Sequence, residues 1–234
     1  MMKRKNALIA AASLLLVAVI AVGGTLAYFT DTTAQRDNVF TTGKVDIDIV
    51  DVSPTGTVDG KEMVTAVNDN EGKGLGYVDI MPGDLISKTV GATVEEGSQP
   101  CYLAIRVTAQ AEVPNSQDAN INSASVSSQL LDLVAAEIDT DKWIVSRDGD
   151  ALLCYYKEAV SYTAPAAGET VNPANQVTLF EHFAIPGEEW DNNYAQAGFS
   201  LSVSAAAVQQ KNLEAPSLDP AANTTATQLQ ALFN

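Results

Sequence analysis

His182 is the only histidine of the 234-residue chain, and it lies within Phe180-Glu181-His182-Phe183. A zinc hydrolase of the His-Glu-x-x-His type needs two imidazoles one helical turn apart, which a single histidine cannot supply. A serine triad would also have to recruit His182, and no Gly-x-Ser-x-Gly turn is present to expose the serine. Set among alternating apolar residues, His182 reads as a structural side chain. The acids fall in close groups: Asp46 with Asp48, Asp139 with Asp141, Asp148 with Asp150, and Glu188 and Glu189 with Asp191. None has the twelve-residue spacing of a calcium loop, so they read as solvated surface, with calcium a weak alternative. Paired carboxylates also serve glycoside hydrolysis, but aromatics are only 6% of the chain and no aromatic-rich cleft accompanies these acids. The expectation is therefore no catalytic residue, no metal and no cofactor. Cys101 and Cys154 are the sole cysteines. Two readings stand open for them: a disulfide, which would close a loop of about fifty residues and add a few kcal/mol, or two small buried hydrophobes.

The elements that would hold these residues are mostly strands. Val45, Ile47 and Ile49 alternate with Asp46 and Asp48, the period-two mark of a half-buried strand. Cys101, Leu103, Ile105 and Val107 alternate with Tyr102 and Arg106 in the same way. Phe199, Leu201, Val203, Ala205 and Ala207 alternate with Ser200, Ser202 and Ser204. Ala151 to Val160 reads as a further strand. Turn chemistry separates the runs at Met81-Pro82-Gly83-Asp84, Glu96-Gly97-Ser98, Arg147-Asp148-Gly149-Asp150 and Pro186-Gly187. One helix is expected over about 128–138. Ser128 would cap it, and Leu130, Leu131, Val134, Ala135 and Ile138 recur at helical spacing. It follows a polar surface excursion, Asn115 to Ser127. The end of the chain, 212–234, reads as a loop and a short amphipathic helix that docks on the body.

The first residues read as an address. Met1 to Asn6 is basic, Ala7 to Val22 carries no charge, and Gly23 and Gly24 lead to Thr25-Leu26-Ala27. That order matches a secretory signal cut between Ala27 and Tyr28. A permanent membrane anchor is the competing reading, since the apolar run is borderline for a span. From Tyr28 onward 10 Lys+Arg face 29 Asp+Glu, a net charge of −19. Such a surface repels phosphate backbones, which disfavours nucleic acid as a partner. The domain expectation is a signal peptide at 1–27, an N-terminal donor-type strand at 28–42, a sandwich at 43–211 and the tail at 212–234.

The junction Gly23-Gly24-Thr25-Leu26-Ala27-Tyr28-Phe29-Thr30-Asp31, with Asn38-Val39-Phe40-Thr41-Thr42-Gly43-Lys44-Val45-Asp46-Ile47, resembles the camelysin/TasA family of exported Gram-positive proteins. Further similarity lies in Met81-Pro82-Gly83-Asp84, in Cys101 to Val107, in Trp143 with Leu153-Cys154-Tyr155-Tyr156-Lys157, and in Ala205-Ala206-Ala207-Val208-Gln209. A departure is Glu95-Glu96-Gly97-Ser98, where the family has Asn-Thr-Gly-Ser. The excursion at 112–140 and the proline-bearing tail match no family motif.

The strand pattern with its one inserted helix leads to the expectation of an all-β fold, a jelly-roll-like antiparallel β-sandwich behind a cleavable signal helix, and the resemblance likewise implies a jelly-roll domain. It implies export through a signal peptidase of the SipW type, and localisation to the extracellular matrix or cell surface. It further implies a subunit of biofilm matrix fibres whose partner is a second copy of itself, with an accessory matrix protein as a further partner. In that scheme the segment from Tyr28 leaves its own body and completes the sheet of the next subunit, with Tyr28, Phe29, Val39 and Phe40 filling pockets. Some family members carry a metallopeptidase label, so a camelysin-like secreted metallopeptidase is one alternative expectation. A monomeric surface-binding module is the other.

Overall fold

The computed structural model describes residues 38–39, 45–66, 68–69, 75–77, 80–113, 118–187, 190, 194, 198–217 and 223–233. The expected signal segment, the cut site at Ala27 and Tyr28, and the residues Phe29 and Phe40 lie outside them. Among the described residues, no helix is long and apolar enough to cross a membrane.

Twelve strands follow in order: β1 (Asn38–Val39), β2 (Ile47–Val52), β3 (Thr57–Val58), β4 (Lys61–Glu62), β5 (Asn68–Asp69), β6 (Leu75–Gly76), β7 (Leu85–Val94), β8 (Cys101–Glu112), β9 (Trp143–Asp148), β10 (Ala151–Tyr156), β11 (Gln176–Ala184) and β12 (Gly198–Gln209). Helix α1 (Ser123–Ala136) lies between β8 and β9, and α2 (Thr224–Ala231) follows β12. One sheet has five strands in the order β1-β12-β8-β10-β9, and another has three in the order β11-β7-β2. The pairs β3–β4 and β5–β6 are small separate ribbons. The chain changes sheets between β7 and β8, between β10 and β11, and again between β11 and β12. These crossings make two mainly antiparallel sheets share one core, which is a β-sandwich.

Alternation explains that core. Ile47 of β2, Val90 and Ala92 of β7, Leu103, Ile105 and Val107 of β8, and Leu201, Ala205 and Ala207 of β12 belong to one buried cluster. The apolar faces expected for β2, β8 and β12 therefore do point inward. Burying each Leu or Ile there contributes about 1.5–3 kcal/mol. The larger sheet also buries its outer face. Tyr102, Ala104, Leu153, Tyr155, Ala206 and Val208 pack beneath Ala226 and Leu229 of α2. The tail is pinned by polar contacts: Asn223 Oδ1 accepts from the Ala226 N–H at 2.8 Å, and Thr225 Oγ1 donates to the Glu214 carbonyl at 2.6 Å.

Two expected boundaries need correction. The inserted helix begins at Ser123, not Ser128, and its cap is Asn122. Asn122 Oδ1 accepts from the Ser125 N–H at 3.0 Å, while Ser125 Oγ accepts from the Asn122 N–H at 2.9 Å. That reciprocal pair satisfies two donors which a start at Ser128 would leave open. Ser128 serves another purpose, since its Oγ accepts from Arg147 Nη2 at 2.8 Å. The strand expected over Ala151–Val160 stops at Tyr156, and Val160 forms a single bridge with Cys101.

The family-like segments have local physical reasons. In Met81-Pro82-Gly83-Asp84 the Asp84 N–H donates to the Met81 carbonyl at 3.0 Å, and Gly83 takes φ 86°. Pro at the second position and Gly at the third are what a type II turn demands. At the departing loop, Ser98 Oγ accepts from the Asp46 N–H at 2.7 Å and donates to the Asp46 carbonyl at 2.8 Å. The serine thus anchors the loop to the strand entering the sandwich.

Candidate functional site

The edge of β12 is where the expected donor segment and the sandwich meet. On one side β12 pairs with β8 in an unbroken antiparallel register from Gly198↔Glu112 to Gln209↔Cys101. On the other side, among the described residues, it meets β1, where Asn38 pairs with Ala205 and Val39 with Ala206. This pairing is parallel, unlike the antiparallel rule expected for the whole fold. Of the four residues expected to fill pockets, Val39 is the one described, and it lies at this edge.

The inner face behind that edge is already packed. Ala205 and Ala207 turn into the main core, and Ala206 and Val208 turn toward α2. Small alanines at these positions bring both covering layers close to β12. Among the described residues, β12 has no partner on this edge other than β1, and an open edge is what strand addition requires.

The remaining candidates are dispersed. His182 lies on β11, and its Nε2 is 3.7 Å from Glu137 Oε2 at the C-terminal end of α1. Asp139 Oδ1 accepts from the Asp141 N–H at 2.9 Å, and Asp139 also pairs with Lys142 at 3.3 Å. The backbone N–H of Asp141, followed by Lys142, holds the Asp139 carboxyl below its ordinary range. Asp48 Oδ1 accepts from the Ile49 N–H at 2.9 Å, and Asp148 Oδ2 lies 3.5 Å from Gln230 Nε2. Glu188, Glu189 and Asp191 fall outside the described residues. Among the described residues, no three His, Cys, Asp or Glu side chains gather where a metal ion could sit.

The disulfide reading of the cysteines is corrected. Both thiols are free and buried. Cys154 lies opposite Ile105, four positions along β8 from Cys101. That separation is about 13 Å of strand, against the roughly 7 Å Cα limit for a bridge. Burial pushes the Cys101 thiol up to about 11 and the Cys154 thiol up to about 12. Both therefore stay protonated at neutral pH and act as small core residues. Expected outcome: without reductant, the unfolded chain takes up two alkyl groups, and the native chain takes up none over the same interval. Intact mass after iodoacetamide checks both statements.

Sequence reasoning passed over one buried ion pair. Lys88 on β7 and Asp51 on β2 meet with Nζ 2.6 Å from Oδ1. A signal existed: Asp51 continues the period-two face of Val45, Ile47 and Ile49, and Lys88 interrupts the apolar alternation of Ile86, Val90 and Ala92. Comparison with protein-family models, curated proteins and solved structures finds no match for the chain. The described molecule is thus defined by its own architecture: a β-sandwich with an inserted helix, a docked tail helix and a two-residue parallel strand at one sheet edge.

Proposed function

We propose that this protein is an exported structural subunit of cell-surface or biofilm matrix fibres. Its sandwich has the jelly-roll character of the camelysin/TasA family, and its signal helix is removed between Ala27 and Tyr28 by a SipW-type peptidase. The freed segment from Tyr28 then leaves its own body and adds to the sheet of the next copy. A head-to-tail contact of this kind does not close on itself, so the product is an open filament. The observation that carries the reading is the parallel pairing of Asn38 and Val39 with β12, at the edge where a neighbour's segment would add. The junction pattern from Gly23 to Ile47 supports it. No enzymatic step is part of this function.

A second reading is favoured by the same pairing. Asn38 and Val39 dock on their own sheet, as they would in a surface-binding module that stays monomeric. One experiment separates the two. Purified chain beginning at Tyr28 should form fibres visible by electron microscopy, and chain beginning at Thr42 should keep its circular dichroism but remain dispersed. A stable monomer from the longer chain selects the second reading, and fibres from both chains reject strand donation.

A further inference from the structure

Lys88 sits on the inner face of β7, between Ile86 and Val90, and its side chain is only 2% exposed. Asp51 lies opposite Val90 on β2, just as Ile49 lies opposite Ala92 and Ile47 opposite Val94. Residues directly opposite in an antiparallel pair share a face, so Asp51 also points toward the core side. Its side chain keeps 22% exposure. The two ends meet at 2.6 Å, across strands that are bonded neighbours.

An ordinary ion pair fits this position poorly. An ammonium carries three donors, and among the described residues Lys88 Nζ makes a single hydrogen bond, to Asp51 Oδ1. Withdrawing two charges from water costs several kcal/mol per ion unless their remaining hydrogen bonds are met. Reactive groups held in this way reach effective concentrations of about 10⁵ M or more, with reacting atoms roughly 3–3.5 Å apart. Tyr77 donates its O–H to the Ser87 carbonyl at 2.6 Å, and burial pushes it up to about 12, so it adds no anion beside the lysine.

We infer that Lys88 and Asp51 form an intramolecular amide cross-link between β7 and β2. A proton passes from Lys88 Nζ to the Asp51 carboxyl, Nζ attacks Cγ, and a C–N bond forms. The C–OH bond breaks, and the hydroxyl leaves with one amine proton as water. The amide nitrogen keeps a single N–H, in place of three ammonium donors. No oxidant, metal or cofactor takes part, and the inference does not depend on fibre assembly. The link fastens β2, which is the outer strand of the three-stranded sheet and bonds to β7 there.

The test is the intact mass of the purified, denatured chain beside that of Lys88→Arg, which keeps the positive charge and removes the nucleophile. The expected result is a wild-type mass one water below that of the sequence, and a full sequence mass for the variant. Trypsin should fail to cut after Lys88 and should release a branched peptide joining it to Asp51. A wild-type chain at full sequence mass overturns the inference. So does a water deficit that persists in Lys88→Arg, since it would then come from succinimide at Asp59-Gly60 or Asp148-Gly149. The branched peptide is read on wild type alone, so the outcome stands even where the variant does not fold.

Discussion

Replacing Trp143 by alanine should remove about 4–6 kcal/mol of stability, close to the whole margin of many domains. Trp143 begins β9, the outer strand of the larger sheet, and is 1% exposed. Its Nε1–H donates to the Thr178 carbonyl on β11 at 2.9 Å. β11 is an outer strand of the smaller sheet, so one side chain bolts the two sheets together at their margin. The ring also meets Tyr156 edge to face, with centroids 5.0 Å apart. Alanine would leave a large cavity, which accounts for about 3–5 kcal/mol, and would orphan a carbonyl for about 1 kcal/mol more. Trp143→Phe separates the two effects. It fills much of the cavity but cannot donate, so its loss should be about 1–3 kcal/mol. Urea unfolding followed by circular dichroism measures both, and equal losses would show that the indole N–H contributes nothing.

Gly91→Ala should be the second severe change, with a loss of about 3 kcal/mol from forced displacement of backbone. Gly91 lies in β7, the central strand between β11 and β2. Glycine normally weakens such a strand, so a steric reason is required. A Cβ added there would run into the Val177 carbonyl oxygen and stand 3.2 Å from Thr178 Cα. Neither atom can rotate away, because both belong to the β11 backbone beside the register shift between Thr178 and Phe180. Alanine must therefore push β11, the strand that receives the Trp143 N–H, outward. The urea midpoint of Gly91→Ala should fall well below wild type, and a shift worth less than about 1 kcal/mol would mean that the strands do not approach so closely.

Strands whose sequence carries a strict period of two were legible before any fold was known. β2, β8 and β12 are of this kind, because burial of one face selects every second residue. β7 was not legible as a strand: Ser87, Lys88 and Gly91 break its apolar pattern. Each is explained by a contact that lies far away in sequence. Ser87 Oγ donates to the Pro54 carbonyl, Lys88 meets Asp51, and Gly91 admits the β11 backbone. β9 was hidden for a related reason, since its polar end, Ser146-Arg147-Asp148, serves the hairpin and the helix. Arg147 Nη1 donates to Asp132 Oδ1 of α1 at 3.0 Å.

The candidate site divides in the same way. The segment containing Val39 could be singled out from its family-like junction, but its parallel pairing with Ala205 and Ala206 could not. The cysteines show the limit most plainly. Residue type alone permits a bridge, while a four-position offset across β8 and β10 forbids it.

By itself the amino-acid sequence determined the strand faces, the principal turns, the existence of both helices and the strongly acidic surface. Those features are set by local alternation, by residues such as the Pro82-Gly83 pair, and by counts of charge. Only the tertiary structure decided which strands are neighbours, which residues lie opposite, and that Lys88 and Asp51 meet in the interior. Register is a relation between distant segments, fixed by the joint packing of two sheets, and no single segment carries it.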